Sequence, residues 1–449
     1  MNRKLFLKTS LFYLLNLSCS TNVTRLSKNT YNKKVIVIGA GMAGSSVAYQ
    51  LKNEGYDVQI LEARTRVGGR IYTNRERGYP IDLGASWMHG NKQNPLEPVI
   101  KQFGVKSKET DYENVVLLDG DSEITPEILF NSYQKFQALL DKIKAQTENS
   151  IKDQNLRDLL DINYKKETLE EIDKKLFIYF ERGIENELGA ELSKLSGYGI
   201  FHIGEKIEGG DELILSGFDT ILYGLLKNIN INFNQKVISV RQSADSVKVE
   251  TQTNVFSADF VIITVPVSVL QKNSIVFDPP LPLEKSNAIS KIPFGFYSKY
   301  ILEFPEKFWT DEDAYVQLKG MKNQWYELLL NLEPYTNKPV LGFLSSGERA
   351  KAVEKDKNLL TKAISELKKI FDVNIPSPLK TFQTDWSVDP FSLGAYTYPS
   401  REMESLVKEY AQPYGKIFFA GEGTHEKYFS YVHGAYLSGI REAERILNL

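Results

Sequence analysis

An apolar run that leads into three closely spaced glycines is the feature that most restricts the fold of this chain. Residues 34–44 read Lys-Val-Ile-Val-Ile-Gly-Ala-Gly-Met-Ala-Gly, and a helical pattern then continues to Asn53. In such a strand–turn–helix unit, Gly39 permits the tight turn, Gly41 lets a pyrophosphate approach the backbone, and Gly44 lets the helix pack closely on the strand. The N terminus of the helix would face the phosphates with its unpaired N–H groups. The pattern therefore predicts a dinucleotide site.

The next segment favours FAD over NAD as that dinucleotide. A second strand pattern at residues 57–61 ends in Glu62, close to the offset of about 20 residues at which a carboxylate binds ribose hydroxyls. Residues 62–70 then read Glu-Ala-Arg-Thr-Arg-Val-Gly-Gly-Arg, a second glycine turn that carries Arg64 and Arg70. Their fork-shaped donors suit a second approach to the same pyrophosphate, and NAD sites seldom have such a turn.

Two further motifs lie farther along the chain. Residues 82–90 read Asp-Leu-Gly-Ala-Ser-Trp-Met-His-Gly, and residues 418–424 read Phe-Phe-Ala-Gly-Glu-Gly-Thr. Together with the glycine turns, these motifs resemble the flavin-containing amine oxidase family, which includes monoamine oxidases, polyamine oxidases, L-amino-acid oxidases and histone lysine demethylases. The resemblance covers nearly the whole chain from about residue 33, with the motifs in the family's order. It implies oxidation of an amine by a bound flavin.

The resemblance implies an α/β fold in which the nucleotide domain is assembled from separated pieces of chain. An FAD-binding, Rossmann-type domain of the glutathione reductase kind would be interleaved with an α+β substrate-binding domain. The FAD-binding domain is expected from residues 33–98, 205–288 and 395–449. The substrate-binding domain is expected from residues 99–204 and 289–394.

Local patterns predict elements of both domains. Helical periodicity predicts helices over residues 156–182 and 349–371. Short alternating or apolar runs predict further strands, and these runs are residues 232–240, 246–251, 258–266 and 298–303.

The resemblance also assigns residues to the cofactor and implies that FAD is held without a covalent bond. Ala395 stands where monoamine oxidases have the cysteine that tethers the flavin, and the single cysteine of the chain is Cys19. Glu422 is expected at the ribityl or pyrophosphate part of FAD, Val237 at the adenine and Trp386 beside the flavin face. The expected cofactor-binding residues are Gly39, Gly41, Ala43, Gly44, Glu62, Arg64, Gly69, Arg70, Gly84, Ala85, Ser86, Trp87, Val237, Trp386, Gly421, Glu422 and Val432.

Lys299 and two tyrosines are expected to be catalytic. A lysine on a strand pattern is usually solvated, but the run around Lys299 resembles the family segment whose lysine holds a water against flavin N5. Burial would lower its pKa and let it help to activate that water and the oxygen chemistry of the reduced flavin. Tyr396 and Tyr431 match the aromatic cage of the family, which would hold a neutral amine flat beside the flavin.

His89 narrows the range of substrates that the sequence predicts. The run Trp-Met-His-Gly at residues 87–90 looks like the polyamine oxidases in which a histidine bonds a substrate nitrogen, so His89 is expected to bind substrate and to take part in catalysis; a satisfied core imidazole is the alternative. Amino-acid oxidases place an arginine after Gly-Ala-Met to bind the carboxylate, whereas Ser86 and Trp87 stand here. Glu187 is a candidate for binding a distal ammonium, with a solvated helix face as an equal alternative.

Residues 1–30 are expected to be an export signal and linker. A basic start precedes an apolar run at residues 11–17, which is too short to span a bilayer and matches the h-region of a signal. Residues 2–8 resemble the twin-arginine pattern, and residues 15–19 resemble a bacterial lipobox that ends in Cys19. The expected location is therefore the periplasm, or the membrane through a lipid on Cys19. An unprocessed N terminus on a cytoplasmic protein is the alternative.

Composition excludes other classes of function. With 55 Lys and Arg against 57 Asp and Glu, the chain lacks the basic excess of nucleic-acid readers. Its four histidines and one cysteine form no paired ligand motif, so no metal site is expected. The sequence does not indicate an oligomeric state.

The sequence thus predicts an FAD-dependent amine oxidase of the polyamine type. Its partners would be a small-molecule amine and O2, and its products an imine or aldehyde and H2O2. The alternatives of the same fold are a monoamine oxidase and an L-amino-acid oxidase or tryptophan monooxygenase. A catalytically silent flavin-binding interaction protein is the alternative of another class.

Overall fold

The computed structural model describes residues 33–111 and 114–449. In this part of the chain, five parallel strands form a central sheet in the order β10 (Asn230–Asn232), β2 (Asp57–Leu61), β1 (Lys34–Ile38), β14 (Phe260–Ile263) and β21 (Ile417–Phe419). Strands that pair here, such as β1 and β14, are far apart in sequence. The central sheet therefore joins three separate segments of chain.

The strands of the central sheet are apolar on both faces because both faces are covered. Val35 belongs to a buried cluster with side chains of helices α1 (Met42–Asn53) and α14 (Val432–Leu447). Its neighbour Ile36 belongs to a second cluster, formed with side chains of another sheet. Successive residues of a strand point to opposite faces, so a five-residue apolar strand can serve both clusters. The result is a layered α/β unit.

Smaller sheets surround this unit. The sheet on the Ile36 face has the order β13 (Val255–Ala258), β12 (Val247–Thr251), β11 (Val237–Gln242) and β15 (Val276–Asp278). Two short sheets consist of β3 (Thr73–Asn74) with β4 (Ile81–Asp82), and of β9 (Glu212–Ile214) between β5 (Trp87–Met88) and β6 (Ser107–Glu109). Strand β6 lies in a predicted substrate-domain segment, but its sheet is completed by strands from the predicted FAD-binding segments.

The largest sheet of the described residues contains the strand that carries Lys299. Its order is β20 (Lys380–Gln383), β16 (Tyr297–Glu303), β19 (Val340–Ser346), β18 (Leu328–Asn331), β17 (Ala314–Gln317), β7 (Val115–Asp119) and β8 (Ser122–Glu123). Strand β16 pairs with β19 on one side and with β20 on the other. It is buried along nearly its whole length, so Lys299 lies in the interior rather than on a solvated face.

Helices connect and cover these sheets. Besides α1 and α14, they are α2 (Glu97–Gln102), α3 (Pro126–Glu148), α4 (Leu156–Tyr164), α5 (Glu171–Leu188), α6 (Gly199–His202), α7 (Asp219–Leu225), α8 (Val267–Gln271), α9 (Leu283–Lys291), α10 (Glu333–Thr336), α11 (Gly347–Lys355), α12 (Leu359–Phe371) and α13 (Met403–Tyr410). Single 3₁₀ turns occur at Met321–Asn323 and Glu422–Thr424.

Three predicted elements are each divided in the structure. The helix predicted over residues 156–182 is α4 and α5, because a turn between them lets both pack on α3. The helix predicted over residues 349–371 is α11 and α12; between them, the Asp356 side chain accepts the Asn358 N–H at 2.8 Å, a local bond that competes with helix continuation. The strand predicted over residues 232–240 is β10 and β11, with Asn234 at a φ of +58° in the turn between them.

The predicted export signal at residues 1–30, with Cys19, lies outside the described residues and stays a prediction of the sequence. Within the described ranges, no helix combines the length and apolar character that crossing a bilayer requires.

Candidate active site

A cavity of about 870 Å³ lies at the carboxyl ends of β1 and β2. It extends from the glycine turns after these strands to β16, to the end of α5 and to the start of α14. The sequence-predicted site residues that line it are Gly39, Gly41, Ala43, Glu62, Arg64, Gly69, Arg70, Gly84, Ala85, Ser86, Trp87, His89, Glu187, Val237, Lys299, Trp386, Tyr396, Gly421, Glu422, Tyr431 and Val432. The fold therefore brings motifs from both ends of the chain to one place.

Gly44 is the predicted site residue that does not line this cavity. A Cβ at Gly44 would lie 2.0 Å from the carbonyl oxygen of Gly39, because the helix and the turn are in close contact there. Gly39 itself has a φ of +110°, which favours glycine. Gly44 therefore serves the close packing of α1 on the turn, as its place in the glycine motif predicts, and its contact with the cofactor stays a prediction.

Gly41, Gly69 and Gly421 face open space in the cavity wall. A Cβ at Gly41 or Gly69 would meet its nearest protein atom at 3.8 or 3.7 Å, and a Cβ at Gly421 would meet none within 4 Å. Helices α1 and α14 begin beside them, at Met42 and Val432, and no side chain of the described residues caps either N terminus. Unpaired N–H groups and two positive dipole ends suit an anion. This part of the wall, here called the cradle, therefore suits a phosphate-containing group.

Glu62 connects the two glycine turns. Its carboxylate is buried; one oxygen accepts the Ala40 N–H at 2.8 Å and the other accepts the Arg64 N–H at 2.9 Å. Each oxygen retains a further lone pair. These bonds fix a carboxylate at the cavity wall, in an orientation that suits ribose hydroxyls.

Arg64 and Arg70 are engaged with protein acceptors, which the sequence did not indicate. Arg64 forms an ion pair with Asp389 at 2.5 Å. Arg70 donates to the carbonyl oxygen of Ala395 at 2.6 Å and pairs with Glu422 at 2.9 Å. These contacts join the N-terminal motifs to the C-terminal segment, and only the remaining N–H groups of each guanidinium can reach a phosphate.

Lys299 is buried in the cavity wall. Its Nζ donates to the carbonyl oxygens of Asp82 at 3.0 Å and Gly84 at 2.7 Å and to Ser86 Oγ, and it lies 5.3 Å from the Trp87 ring centroid. Burial lowers the pKa of Lys299, and the nearby Asp82 carboxylate opposes that shift. Three acceptors match the three N–H groups of an ammonium. The motif at residues 82–90 therefore positions the lysine.

Tyr396 and Tyr431 line the cavity from different elements. The Tyr396 hydroxyl donates to the backbone carbonyl of Glu187 at 3.1 Å. Tyr431 precedes α14, and its ring lies 5.5 Å from the His89 ring between centroids. Burial raises the pKa of both tyrosines, so both hydroxyls stay neutral. Tyr297 adds a further ring, whose centroid is 6.2 Å from that of Tyr396.

His89 is held by a carboxylate rather than by core packing. Its Nδ1 lies 2.8 Å from Asp211 Oδ2, and Asp211 Oδ1 accepts the Gly90 N–H at 2.9 Å. A carboxylate partner favours the tautomer with the proton on Nδ1, which makes Nε2 an acceptor. The His89 side chain is 47% exposed, which argues against the alternative of a satisfied core imidazole. Its Nε2 can accept a hydrogen bond from a substrate N–H.

Trp386, Trp87 and Val237 also line the cavity. Trp386 is buried, and its Nε1 donates to the Leu83 carbonyl at 3.1 Å. Trp87 Nε1 donates to Thr110 Oγ1 at 2.9 Å. Val237 begins β11 and is buried. These hydrogen bonds hold both indole rings in the wall.

Glu187 lies one residue before the end of α5. Its carboxylate forms an ion pair with Lys206, and its side chain is 46% exposed. Both residues line the cavity. The carboxylate is therefore at the cavity as well as in contact with solvent, and its role in binding a distal ammonium stays a prediction.

Asp211, Tyr297 and Lys206 are cavity residues that the sequence reasoning missed. Tyr297 precedes Lys299 by two residues on β16, so the two-residue repeat of a strand would have placed both on one face. Asp211 and Lys206 lie in an irregular segment that no periodic pattern marks.

The sequence of the chain was compared with known proteins. A family model described as flavin containing amine oxidoreductase matches residues 42–447, which span α1 to the end of α14. The chain belongs to this flavin-containing amine oxidoreductase family. It therefore oxidises amines, and its α/β fold is of the Rossmann-like, FAD-binding type.

Relatives of this amine oxidoreductase include plant and animal proteins. It is 32% identical to polyamine oxidase 4 of Oryza sativa subsp. japonica over 91% of this chain and 88% of the relative. It is 31% identical to probable polyamine oxidase 4 of Arabidopsis thaliana over 93% of this chain and 87% of the relative. Lysine-specific histone demethylase 2 of Homo sapiens is 30% identical over 96% of this chain but only 55% of its own length.

FAD is the cofactor of this amine oxidoreductase, and the cavity fits it. The open faces of Gly41, Gly69 and Gly421 and the two uncapped helix N termini would hold the pyrophosphate. Glu62 would bind the ribose. FAD is noncovalent: Ala395 stands at the position of the tethering cysteine, and the one cysteine of the chain, Cys19, precedes the family match.

Noncovalent binding leads to a direct prediction. Acid precipitation of the purified flavoprotein should release the yellow flavin into the supernatant, because unfolding removes every contact that holds it. Absorbance of the supernatant near the flavin maximum, compared with that of the resuspended pellet, measures the partition. Flavin that stays with the pellet would show a covalent bond.

Proposed function

We propose that this amine oxidoreductase oxidises polyamines, with O2 as electron acceptor and H2O2 as product. The observation that carries the proposal is the His89–Asp211 pair beside Tyr431, in a cavity that is also lined by the carboxylate of Glu187. A polyamine has several nitrogens on one flexible chain. One nitrogen can therefore be held as a neutral amine at His89 while a carboxylate binds another as an ammonium. The polyamine oxidases among the relatives support the same substrate class.

Substrates that carry a carboxylate fit the cavity less well. Arg64 and Arg70 are the arginines that line it within the described chain, and both are paired with carboxylates, Asp389 and Glu422. A substrate carboxylate near His89 would also lie close to Asp211, a group of like charge. The geometry thus disfavours an L-amino-acid oxidase.

The side chains around the substrate have separable tasks. When bound, the flavin ring supplies the two-electron acceptor for a hydride from the carbon next to the reacting nitrogen. The rings of Tyr396 and Tyr431 exclude water and hold the amine by their faces. His89 Nε2 accepts the substrate N–H and orients the nitrogen. Burial lowers the pKa of Lys299, which makes its neutral form more accessible than that of a solvated lysine. The lone pair of the neutral amine can then accept a hydrogen bond from a water at the wall.

The proposed net reaction converts R–CH2–NH–R′, O2 and H2O into R–CHO, R′–NH2 and H2O2. The C–H bond beside nitrogen breaks with loss of a hydride, and the nitrogen loses its proton to give a C=N bond. Water then adds to this imine and splits it into aldehyde and amine. Two electrons and two protons reach O2, which balances the equation.

We also propose that the chain divides as the sequence predicts, into an FAD-binding domain of the glutathione reductase kind and an α+β substrate-binding domain. The central sheet supports this division, since its strands lie within residues 34–61, 230–263 and 417–419, all in predicted FAD-binding segments. The largest sheet takes its strands from residues 115–123 and 297–383, all in predicted substrate-domain segments.

A peroxide assay with a panel of amines tests the substrate. We expect H2O2 from spermidine or spermine, and for tyramine a kcat/KM roughly three- to fivefold lower, because a monoamine lacks the second ammonium that pairs with an exposed carboxylate. Tryptophan should give none. Tyramine as the best substrate would indicate a monoamine oxidase and tryptophan an amino-acid oxidase. No peroxide with any amine, despite bound flavin, would contradict oxidase function.

A further inference from the structure

An irregular segment at residues 203–211, here called the strap, forms part of the cavity wall. It connects α6 to β9, and five of its residues line the cavity in an unbroken run, residues 203–207. Glu205 and Lys206 are exposed to solvent. Gly204 and Gly209 have φ angles of +85° and +105°, which glycine adopts readily. The strap therefore separates part of the cavity from solvent.

Two ion pairs hold the strap to different neighbours. Lys206 pairs with Glu187 of α5. Glu205 pairs with Lys427 at 2.8 Å, and the Glu205 backbone N–H also donates to the Lys427 carbonyl at 2.8 Å. The Lys427 contact is thus supported by the backbone, whereas the Lys206 contact is made by two side chains. Those two side chains are 70% and 46% exposed, which makes their pair weak and easily exchanged.

The neighbours of Glu187 connect this ion pair to the substrate region. The Glu187 backbone carbonyl accepts the Tyr396 hydroxyl, and the negative charge of Glu187 helps to raise the pKa of both Tyr396 and Tyr431. Because the Glu187 carboxylate influences both predicted cage tyrosines, it lies within reach of an extended amine held between them. In the structure, this carboxylate is paired with the ammonium of Lys206.

We propose that Lys206 limits the affinity for polyamines by occupying Glu187 until a second ammonium of the substrate replaces it. The exchange leaves one ammonium on the carboxylate before and after, and the displaced Lys206 ammonium, whose side chain is 70% exposed, is solvated instead. A monoamine has no second ammonium and gains nothing from Glu187. The inference rests on the proposed oxidation of polyamines and assigns a role to a lysine outside the family motifs.

Replacement of Lys206 by Met tests this role in the flavin-loaded enzyme. Because the substrate no longer competes with an internal ammonium, KM for spermidine should fall by roughly three- to fivefold, the range expected for an exposed ion pair. We expect kcat to stay within about twofold and KM for tyramine to stay unchanged. In the double variant K206M/E187Q the fall in KM for spermidine should disappear.

Lys427→Met is the matched control, because it removes a similarly exposed positive charge from the same wall but leaves Glu187 paired with Lys206. Equal falls in KM for both variants would indicate general attraction of the polycation and would overturn the proposal. So would an unchanged or raised KM in K206M. Such results with an active wild-type enzyme would leave the proposed function intact, whereas wild-type protein without turnover of any amine would overturn both.

Discussion

Replacing Lys299 by Met is expected to slow flavin reduction, flavin reoxidation or both by about 10²- to 10⁴-fold, the range for loss of a group that moves a proton in the transition state. Methionine fills a similar volume, but it cannot donate to the carbonyls of Asp82 and Gly84 or take part in proton transfer. Anaerobic stopped-flow reduction by spermidine and mixing of reduced enzyme with O2 measure the two steps. Unchanged single-turnover rates would remove Lys299 from the mechanism.

Lys285→Met provides a matched control, because Lys285 is also a buried lysine but does not line the cavity. Its Nζ donates to the carbonyls of Glu409 and Tyr410, at the end of α13. Loss of this donor should cost about 1–3 kcal/mol of stability and leave both flavin steps within about twofold. A large kinetic defect in K285M would show that the Lys299 result reflects general damage.

Lys285 also makes the free energy of unfolding of the wild-type protein depend on pH. Burial lowers the pKa of Lys285 to about 8, whereas an unfolded lysine titrates near 10.4. Between these values the unfolded chain binds more protons, so the wild-type free energy of unfolding should gain from this group as the pH rises. Below a pH of about 8, Lys285 is charged in the folded protein, and burial of its ammonium lowers the free energy of unfolding by its full amount. The K285M variant should lack this rise in denaturant unfolding.

Gly41→Ala is expected to weaken FAD binding by at least about tenfold, or about 1.4 kcal/mol, with little change in the stability of the apoprotein. Gly41 has a φ of −80°, which alanine adopts, and the new Cβ would meet only the Gly68 carbonyl, at 3.8 Å. The methyl group therefore occupies cavity space where we expect the pyrophosphate. Titration of apoprotein with FAD, followed by fluorescence, measures the affinity.

Gly44→Ala, three residues away, should have the opposite pattern of effects: it should destabilise the apoprotein. Its Cβ would lie 2.0 Å from the Gly39 carbonyl oxygen and 3.0 Å from Thr264 Oγ1, so backbone must move. We expect a loss of about 3 kcal/mol or more in the apoprotein, seen as a lower Tm without FAD. If G41A lowers the apoprotein Tm as much as G44A does, the distinction between cradle and packing glycine is wrong.

Local patterns were sufficient where one short segment determines its own conformation. The strand predicted at residues 57–61 is β2 with the same bounds, and the glycines after β1 form the predicted turn. The same patterns merged α4 with α5 and α11 with α12, because helical periodicity continues across both breaks. Packing on α3 and a side-chain bond of Asp356, which periodicity does not register, divide them.

Sequence by itself therefore determined the dinucleotide turn, the family resemblance and the set of residues to expect around a flavin, since each depends on residues close together in the chain. Only the tertiary structure decided which of them meet. His89 pairs with Asp211, Lys299 is held by residues 82–86, and Arg70 pairs with Glu422. The partners in these pairs are separated by more than one hundred residues. Their contacts arise from the pairing of distant strands, which no local spacing encodes.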